Sequence, residues 1–336
     1  MQDREFRLSP TRAWMRLSGL AVAAAKGVYR QPVIRAAGAY RRVLRGTTFV
    51  GITGSVGKTT TKDLAFRALA SRFPVVRSHL SNNDLYNTAR TLVTTPPWAR
   101  ACIQELGVDA PGSIDAPLAL LRPQVAVVTA IGLDHLRAFR THEAIAAEKS
   151  KLVSALPATG TAVLNADDPY VEPMAALCRG RVVRFGQARG ADLRILGIDA
   201  AWPGGLSLRL QWRDAEEGHV VTALQGAHLA TSLAAAIATA VTVGLPLAAA
   251  CEALHGAEPT TGRLSVARTR DGVQWLRDDF KASAWSVGQA FDHLAGCRDG
   301  VARRVIVLGT IADRRGKSRD AYLKVLAHAV RCADRV

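Results

Sequence analysis

A glycine-rich loop between a strand-like run and a helix-like run is the feature that most constrains how this chain folds. The run TFVGIT at 48–53 is rich in strand-forming residues, and the segment 58–71 has helical character. The loop GSVGKTT joins the two runs. Because a helix N-terminus offers free N–H groups and a favourable dipole, glycines at this junction predict a loop that binds phosphate.

The spacing within this loop differs from that of the most common nucleotide loop, G-x-x-x-x-G-K-[ST]. The first glycine of that pattern would fall on Ile52, so only G-x-x-G-K-T remains. In the phosphate-binding interpretation, the loop backbone cradles phosphates, Lys58 contacts the terminal phosphates and Thr59 binds Mg²⁺. The alternative is an ordinary strand–turn–helix whose glycines serve only the turn. The candidate nucleotide-binding residues of the loop are Gly54, Ser55, Val56, Gly57, Lys58, Thr59 and Thr60.

The rest of the chain predicts an α/β fold with a doubly wound, mostly parallel sheet. Strands that alternate with helices indicate a sheet with helices on both faces. Residues 191–225 alternate in the two-residue period of a strand, with turns at WPGG and DAEEG, and predict a small antiparallel β insertion. Further predicted strands lie at 74–77, 101–105, 124–130, 160–164 and 181–185.

Three units are predicted along the chain: a basic helical N-terminal arm (1–46), a central ATP-binding domain (47–258) and a partial Rossmann-like α/β C-terminal domain (259–336). The third unit supplies strands at 272–280 and 304–308, with one helix after each. A stable open sheet usually has about four strands or more, so we expect this domain to be incomplete.

The positive charge is concentrated in the arm. Residues 1–46 hold ten Lys and Arg against two Asp and Glu, a net +8 out of +16 for the chain. One interpretation is a solvated basic face, and the other is contact with an anionic membrane surface or a polyanionic substrate. No recognition motif favours nucleic acid. The five scattered cysteines favour neither disulfides nor zinc, and no apolar run is long enough to span a membrane, so we expect a cytoplasmic protein.

Polar residues follow several of the predicted strands, where ligands bind in open α/β sheets. Glu105 is a Mg²⁺ candidate or a surface carboxylate, and His135 is a ligand candidate or a structural histidine. Asn165 begins the segment NADD, which either faces the ligand or forms an Asx-turn before a helix. Lys149 lies on a predicted amphipathic helix and would be unremarkable alone.

Charged residues also cluster where the second and third units meet. Arg263 lies in TTGRL, and Asp279 and Lys281 lie in RDDFKAS. The simple interpretation is a solvated linker with a charged turn.

Taken in order, these motifs resemble those of the Mur ligases. The segments are TGSVGKTTT, SNN, ELG with PGSI, TAIGLDHL, AAEKSKL, LNADD, GAHLATSLAAA, GRL and DDFKAS, and they run from about residue 47 to 320. GSVGKTTTKD, ELG with PGSI, IGLDHL and NADD are most similar to the MurF type, which adds D-Ala-D-Ala to a peptidoglycan precursor. The shorter T-G-x-x-G-K-[ST] loop is the one this family carries.

The resemblance implies an ATP-dependent, ADP-forming carboxylate–amine ligase of peptidoglycan or related cell-wall synthesis, working through an acyl phosphate. It implies that Lys58 and Arg263 hold the γ-phosphate. It implies two Mg²⁺ ions, one on Thr59 and Glu105 and one on His135.

The resemblance assigns four further positions. It implies a CO₂-derived carbamate on Lys149, which would make that side chain a metal ligand. Lys281 would contact phosphate or substrate, Asn165 would lie at the nucleotide and Asp279 would contact the ribose. The partners would be a small-molecule carboxylate and an amino acid or dipeptide amine.

The chain departs from the family pattern in three places. In the segment from Gly226 to Ser232, Leu229 and Ser232 replace two asparagines, the first of which lies near adenine in the family. Tyr86 replaces a glycine in NNDLYNT. The 46 residues before the loop domain are too few for a UDP-sugar domain, so we expect a different acceptor. The alternatives to a ligase are a P-loop kinase or NTPase, and a non-catalytic nucleotide-binding protein.

Overall fold

A nine-stranded sheet carries the glycine loop in the computed structural model, which describes residues 30–132, 138–280, 283, 286–298, 300–311 and 318–336. Its strands are β1 (Thr48–Thr53), β2 (Val75–Arg77), β3 (Ala101–Glu105), β4 (Val125–Val128), β5 (Thr161–Asn165), β6 (Arg181–Gly186), β7 (Leu193–Ala201), β8 (Gly205–Trp212) and β9 (Glu216–Thr222). They lie in the order β2-β3-β1-β4-β5-β6-β7-β8-β9. The chain leaves β1 and β4 in opposite directions along the sheet, which opens a crevice at the carboxyl ends of these two strands.

Helices cover both faces of the sheet, as the alternation of elements predicts. They are α1 (30–40), α2 (Lys58–Ala70), α3 (Leu85–Val93), α4 (Asp115–Leu121), α5 (His142–Ser154), α6 (Ala230–Val243) and α7 (Leu247–Leu254). Short 3-10 helices lie at Glu172–Leu177 and Ala227–Leu229. No helix among the residues that the structure describes is long and apolar enough to cross a membrane.

Two apolar cores result from the pleat of the central strand. Phe49 points to the face covered by α1, α3, α4 and α5, while Val50 and Ile52 point to the face covered by α2, α6 and α7. Successive side chains of a strand point to opposite faces, so a strand that is apolar throughout must be buried on both sides. This fixes β1, and the loop that follows it, in the middle of the molecule.

The predicted β insertion is antiparallel but is not a separate sheet. β7 pairs in parallel with β6 through Phe185–Leu193 and Gly186–Arg194, and β8 and β9 then follow in antiparallel order. The physical reason is that β6 would otherwise be an edge strand with unpaired backbone groups. The apolar face of the meander also joins the core that β1 shares with α6, through Leu206 and Leu208.

The C-terminal part begins with a two-stranded antiparallel ribbon. β10 (Ser265–Arg268) pairs with β11 (Gln274–Arg277), so the predicted strand at 272–280 is shorter and pairs only locally. Helices α8 (Val287–Gly296) and α9 (Ser318–Cys332) agree with the prediction.

The strand predicted at 304–308 is reduced to one parallel bridge, between Val305 and Arg335. Among the described residues, no strand pairs with this segment over more than that one bridge. The helices of the predicted α/β unit therefore form, but its sheet does not. A small apolar core between α8 and α9 includes Phe291 and Val325.

The last residues of the basic arm are part of the fold. α1 packs on the sheet through Ala37, and Leu44 is buried in the same core. The predicted boundary at residue 46 therefore stays a prediction, and the arm before residue 30 lies outside the described residues.

Candidate active site

The glycine loop follows β1 and places two glycines in conformations that favour glycine. Gly54 has a φ of 148° and Gly57 a φ of 81°. A Cβ at Gly57 would lie 2.5 Å from the hydroxyl of Ser232, and one at Gly54 would meet the hydroxyl of Thr129. Both positions therefore require glycine for conformation and for space.

Hydrogen bonds tie the loop to the end of β4. The N–H of Ser55 donates to the carbonyl of Ala130 at 2.7 Å, and the hydroxyl of Thr129 donates to the carbonyl of Val56 at 2.6 Å. The hydroxyl of Ser55 also accepts from the N–H of Gly132 at 2.8 Å. The neighbouring strand thus holds the loop in one conformation.

The ammonium of Lys58 lies over the loop that precedes it. Its Nζ donates to the carbonyl of Gly54 at 2.6 Å and to that of Ser55 at 3.3 Å. This places a positive charge within the loop, beside the free end of the helix dipole. An anion held by the loop would meet both.

A buried hydroxyl–carboxylate pair lies directly beneath the loop. Thr59 Oγ1 donates to Glu105 Oε2 at 2.7 Å, and both residues are buried. Asn83 Nδ2 donates to the other carboxylate oxygen at 3.1 Å, while the backbone N–H of Glu105 donates to Ser78 at 3.2 Å. β1 and β3 are neighbours in the sheet, which is why their ends bring these residues together.

Arg263 joins this pair from the junction with the C-terminal part. Its Nη2 donates to Thr59 Oγ1 at 3.1 Å, and its guanidinium lies 4.6 Å from the ring centroid of Phe280. Burial lowers the pKa of Arg263, although the nearby carboxylates of Glu105 and Asp278 oppose that shift. Its Nε is buried and makes no hydrogen bond with any residue that the structure describes. A buried donor without a partner is suited to an anionic ligand.

Lys62 is a buried lysine near the site that the sequence analysis did not single out, and it is not among the residues that line the cleft. It lies one turn after Lys58 and is fully buried, and its Nζ donates to the carbonyl of Leu80 and lies 3.5 Å from Asp63. Burial lowers its pKa, against the attraction of Asp63 and Glu105. The helical spacing of the two lysines was the available signal, but a lysine on a helix is usually exposed.

The cluster opens into a cleft of about 500 Å³. Its central side includes the loop, the ends of β3 and β4 and the start of α6. Its other side is lined by residues of the C-terminal part, namely Arg263, Leu264, Asp278, Phe280, Ser283, Ser286, Gln289 and Ala290. Because ligands generally bind in concave sites between domains, this cleft is the candidate active site.

Asn165 lies at the cleft, as predicted. Its side-chain amide donates to the carbonyl of Thr129 at 2.8 Å, and its Oδ1 accepts from the N–H of Asp167 at 3.0 Å. Asp168 also lines the cleft and accepts from the N–H of Ile131 at 2.8 Å. The hydrogen bond from Asp167 to Asn165 is the one that an Asx-turn makes, and contact of this segment with a ligand stays a prediction.

The segment in which the two asparagines are replaced also lines the cleft. His228, Leu229, Thr231 and Ser232 all face it. Burial, with a smaller effect of His293, lowers the pKa of His228 to about 4. His228 is therefore a neutral polar group at pH 7, next to an apolar Leu229.

Among the predicted residues that the structure describes, Gly54, Lys149 and Asp279 do not line the cleft. Lys149 is buried in α5 and is not among the lining residues. Asp279 is exposed and its carboxylate pairs with Arg277 at 2.8 Å, while Asp278 is the neighbour that lines the cleft. His135 and Lys281 lie outside the described residues. Their roles stay predictions.

The donor set of the cleft fits a nucleotide with a divalent cation. A hydroxyl and a carboxylate are the oxygen ligands that Mg²⁺ prefers, and Thr59 and Glu105 present both. Lys58 and Arg263 both line the cleft and bring two cations to it, and the N-terminus of α2 at the loop favours an anion.

Comparisons with known proteins agree with this geometry. The family model of the Mur ligase middle domain matches residues 52–240. The chain is 33% identical over 283 residues to the UDP-N-acetylmuramoyl-tripeptide–D-alanyl-D-alanine ligase of Mycobacterium tuberculosis, covering 81% of this chain and 54% of that protein. It is 27% identical to the Bacillus subtilis protein of the same name, over 80% of this chain and 57% of that protein. The chain thus spans about half the length of these curated relatives.

Solved structures show the same fold. A crystal structure of MurF from Acinetobacter baumannii matches with a TM-score of 0.79 and 22% identity, over 88% of this chain and 63% of that one. MurF ligase from Thermotoga maritima in complex with ADP matches with a TM-score of 0.74 and 21% identity, over 88% and 68%. With the family model covering more than half of the residues, the chain belongs to the Mur ligase family through its middle domain.

Proposed function

We propose that this chain is an ATP-dependent carboxylate–amine ligase that forms an amide through an acyl phosphate. The observation that carries the proposal is the cluster of Lys58, Thr59, Glu105 and Arg263, which brings cations and Mg²⁺-type ligands from three parts of the chain to one cleft. A structural loop would not need a buried carboxylate and an arginine at its helix start.

The proposed chemistry has two steps. A carboxylate oxygen of the acid attacks the γ-phosphorus of ATP, the bond to the β-phosphate oxygen breaks and ADP leaves. The amine then attacks the acyl carbon, the acyl–oxygen bond breaks and inorganic phosphate leaves with the electron pair, while the amine loses a proton. Both steps depend on positioning and on neutralising charge.

Residues of this chain would divide these tasks. Lys58 and Arg263 would hold the γ-phosphate from the loop and from the C-terminal part, and the loop N–H groups would hold the other phosphates. Thr59 and Glu105 would hold Mg²⁺, which when bound neutralises phosphate charge. Arg263 reaches Thr59 across the junction, so the site is complete only when the two parts are together.

The first substrates to test follow from the relatives. Their names specify a UDP-N-acetylmuramoyl-tripeptide and D-alanyl-D-alanine. We propose a small-molecule carboxylate as the acid and an amino acid or dipeptide as the amine, used in the cytoplasm in cell-wall synthesis, and the pair named above is the first to be tested. We also propose His135 at a second Mg²⁺, Asn165 and Asp279 at the nucleoside and Lys281 at phosphate or substrate.

The test is phosphate release from ATP with Mg²⁺ and bicarbonate, over a matrix of acids and amines that includes the pair above. We expect release only when both an acid and an amine are present, and its loss in Lys58→Ala. Turnover without an amine would instead indicate a kinase or NTPase. ATP binding without turnover, for every pair, would indicate a non-catalytic protein.

The proposed carbamate on Lys149 has its own test. Lys149 is buried on α5, whereas Lys151 on the same helix is paired at 2.9 Å with Asp115 and is partly exposed. We expect Lys149→Ala to lose turnover and to regain part of it when a short carboxylic acid is added, because the acid replaces the missing carboxylate. Lys151→Ala is the matched control and should retain turnover. Full activity of Lys149→Ala without bicarbonate would contradict the carbamate.

A further inference from the structure

A second cavity lies at the amino ends of the central strands, whereas the active-site cleft lies at their carboxyl ends. It has a volume of about 830 Å³ and lies between the end of α1, one side of α4 and the segment after α5. Gln124 lines it and accepts from the N–H of Phe49 at 2.8 Å, which places the cavity at the amino ends of β1 and β4. The length of a six-residue strand, roughly 20 Å, separates it from the glycine loop.

Arginines dominate the polar lining of this cavity. The four are Arg41, Arg42, Arg122 and Arg179, contributed by three separate segments. The carboxylate that lines it, Asp115, is already paired with Lys151 at 2.9 Å. In the part of the chain that the structure describes, none of the four arginines forms an ion pair, so the cavity carries an uncompensated positive charge.

One arginine, Arg41, is built into the wall of the cavity and is held there by backbone carbonyls. Arg41 is only 8% exposed, and its Nε and Nη2 donate to the carbonyls of Leu121 and Arg122 at 2.7 and 2.8 Å. Its guanidinium also lies 3.6 Å from the ring centroid of Phe49. Burial and, to a smaller extent, the charge of Arg122 lower the pKa of Arg41 to about 10.

The remaining arginines have donors to spare. Arg179 donates through Nη2 to the carbonyl of Leu156 at 3.3 Å. The side chains of Arg42 and Arg122 make no hydrogen bond with any described residue and are exposed. Guanidinium groups match phosphate oxygens in geometry and charge, and several together favour a phosphate over a single carboxylate.

Most of the remaining lining is apolar. Leu118, Ala119 and Pro123 border the cavity on one side, and Ala155 and Pro157 on the other. This apolar lining suits the carbon skeleton that carries a phosphate.

We propose that this cavity, lined by Arg41, Arg42, Arg122 and Arg179, binds the phosphate or diphosphate group of an organic ligand, at a site separate from the active-site cleft. The inference does not rest on the proposed ligase activity. The sequence analysis predicts that the basic arm contacts an anionic partner, and the proposed site assigns part of that contact to Arg41 and Arg42, which follow α1. The phosphate can belong to a free organic phosphate or to a lipid headgroup, and the experiment separates these sources.

The test is calorimetric titration of the full chain with inorganic pyrophosphate at low salt. The background is Lys58→Ala, which weakens phosphate binding in the other cleft. In the Lys58→Ala protein we expect one binding event for pyrophosphate. Its affinity should fall about tenfold or more when Arg42→Glu and Arg122→Glu are added, since two attractive contacts become repulsive. Both arginines are exposed, so the variant should fold. When the two arginine substitutions are made in the parent, which keeps Lys58, ATP turnover should equal that of the parent.

The matched control carries the same change of net charge elsewhere. Arg189→Glu with Arg209→Glu alters two exposed arginines of β8 and the turn before β7, and should retain pyrophosphate binding. A parallel arm measures co-sedimentation with vesicles that contain phosphatidic acid, against vesicles of phosphatidylcholine alone. Binding to the acidic vesicles without binding of pyrophosphate, with the same dependence on Arg42 and Arg122, would identify a lipid headgroup as the source.

Two results would overturn the inference. One is that neither pyrophosphate nor acidic vesicles bind in the Lys58→Ala background. The other is that the variant of Arg42 and Arg122 binds as well as the control variant, which would show that these two arginines contribute no more than two arginines elsewhere on the surface.

Discussion

At the scale of single residues, Glu105 is the most direct test of the metal site. It accepts hydrogen bonds from Thr59 at 2.7 Å and from Asn83 at 3.1 Å, and it is buried. Glu105→Gln keeps the size of the side chain but removes the charge that would hold Mg²⁺. We expect ATP turnover to fall about 100-fold.

The measurement is phosphate release over a range of Mg²⁺ concentrations, with the melting temperature as a check of folding. Glu217→Gln changes an exposed carboxylate of β9 and is the matched control, for which we expect no loss. Unchanged turnover of Glu105→Gln at every Mg²⁺ concentration would exclude Glu105 as a metal ligand.

His228 gives a prediction for pH. Its folded-state pKa is lowered from 6.5 to about 4, so between these values the unfolded chain binds a proton that the folded chain does not. The histidine therefore opposes folding as pH falls from 6.5 to 4, and its contribution is absent above pH 6.5. We expect His228→Asn to flatten the loss of unfolding free energy over this window.

Denaturant unfolding at several pH values between 4 and 7 measures this slope. His255→Asn, at an exposed histidine, should leave the slope as it is in the parent. If the two variants have equal slopes, the lowered pKa of His228 in the folded chain is wrong.

At the scale of elements, the turn between β1 and α2 requires a residue without a side chain at Gly57. Its φ of 81° and the 2.5 Å that would separate an added Cβ from Ser232 Oγ are two separate costs. We expect Gly57→Ala to lower the unfolding free energy by about 2 kcal/mol or more, through backbone strain and overpacking.

A second variant separates the two costs. Adding Ser232→Gly removes the clash but not the strained backbone, so we expect it to restore only part of the loss. Gly190→Ala, where a Cβ meets nothing within 4 Å, is the control and should change stability little. Full recovery in the double variant would show that the backbone conformation carries no cost.

The same elements show what the sequence could predict. β1, β3, β4, β5 and β6 agree with the predicted strands because short apolar runs after turns leave little choice of conformation. The pairing of β7 with β6 could not be predicted, since it depends on which edge is free once the helices are placed. The strand expected at 304–308 has the right composition but only one bridge, because pairing also needs a partner.

At the scale of the whole molecule, the active-site cleft depends on contacts across the junction at residue 259. Thr260 Oγ1 donates to Asp63 at 3.0 Å, and Arg263 donates to Thr59 at 3.1 Å, so both reach α2 from the C-terminal part. Sequence order alone cannot bring residues 59 and 263 together. The resemblance to the Mur ligases predicted that Arg263 lies near the loop. The burial of Lys62 and the contact of Asn83 with Glu105 were not predicted and are seen only in the structure.

The junction can be tested through Arg263. Arg263→Lys keeps a positive charge but loses the planar guanidinium that spans Thr59 and Phe280. We expect ATP turnover to fall about 10-fold or more while the melting temperature changes little. Arg268→Lys, at an exposed arginine of β10, is the matched control. Equal activity of the two variants would remove Arg263 from the γ-phosphate site.

The acyl phosphate itself is tested most directly by following oxygen. The acid substrate is labelled with ¹⁸O in its carboxylate and incubated with ATP, Mg²⁺ and the amine, and the released phosphate is analysed by mass spectrometry. The proposed mechanism predicts one ¹⁸O atom in each phosphate released, in the parent but not in Lys58→Ala, which should release none. Phosphate that carries no label, or that is released in repeated turnovers without the amine, would contradict it.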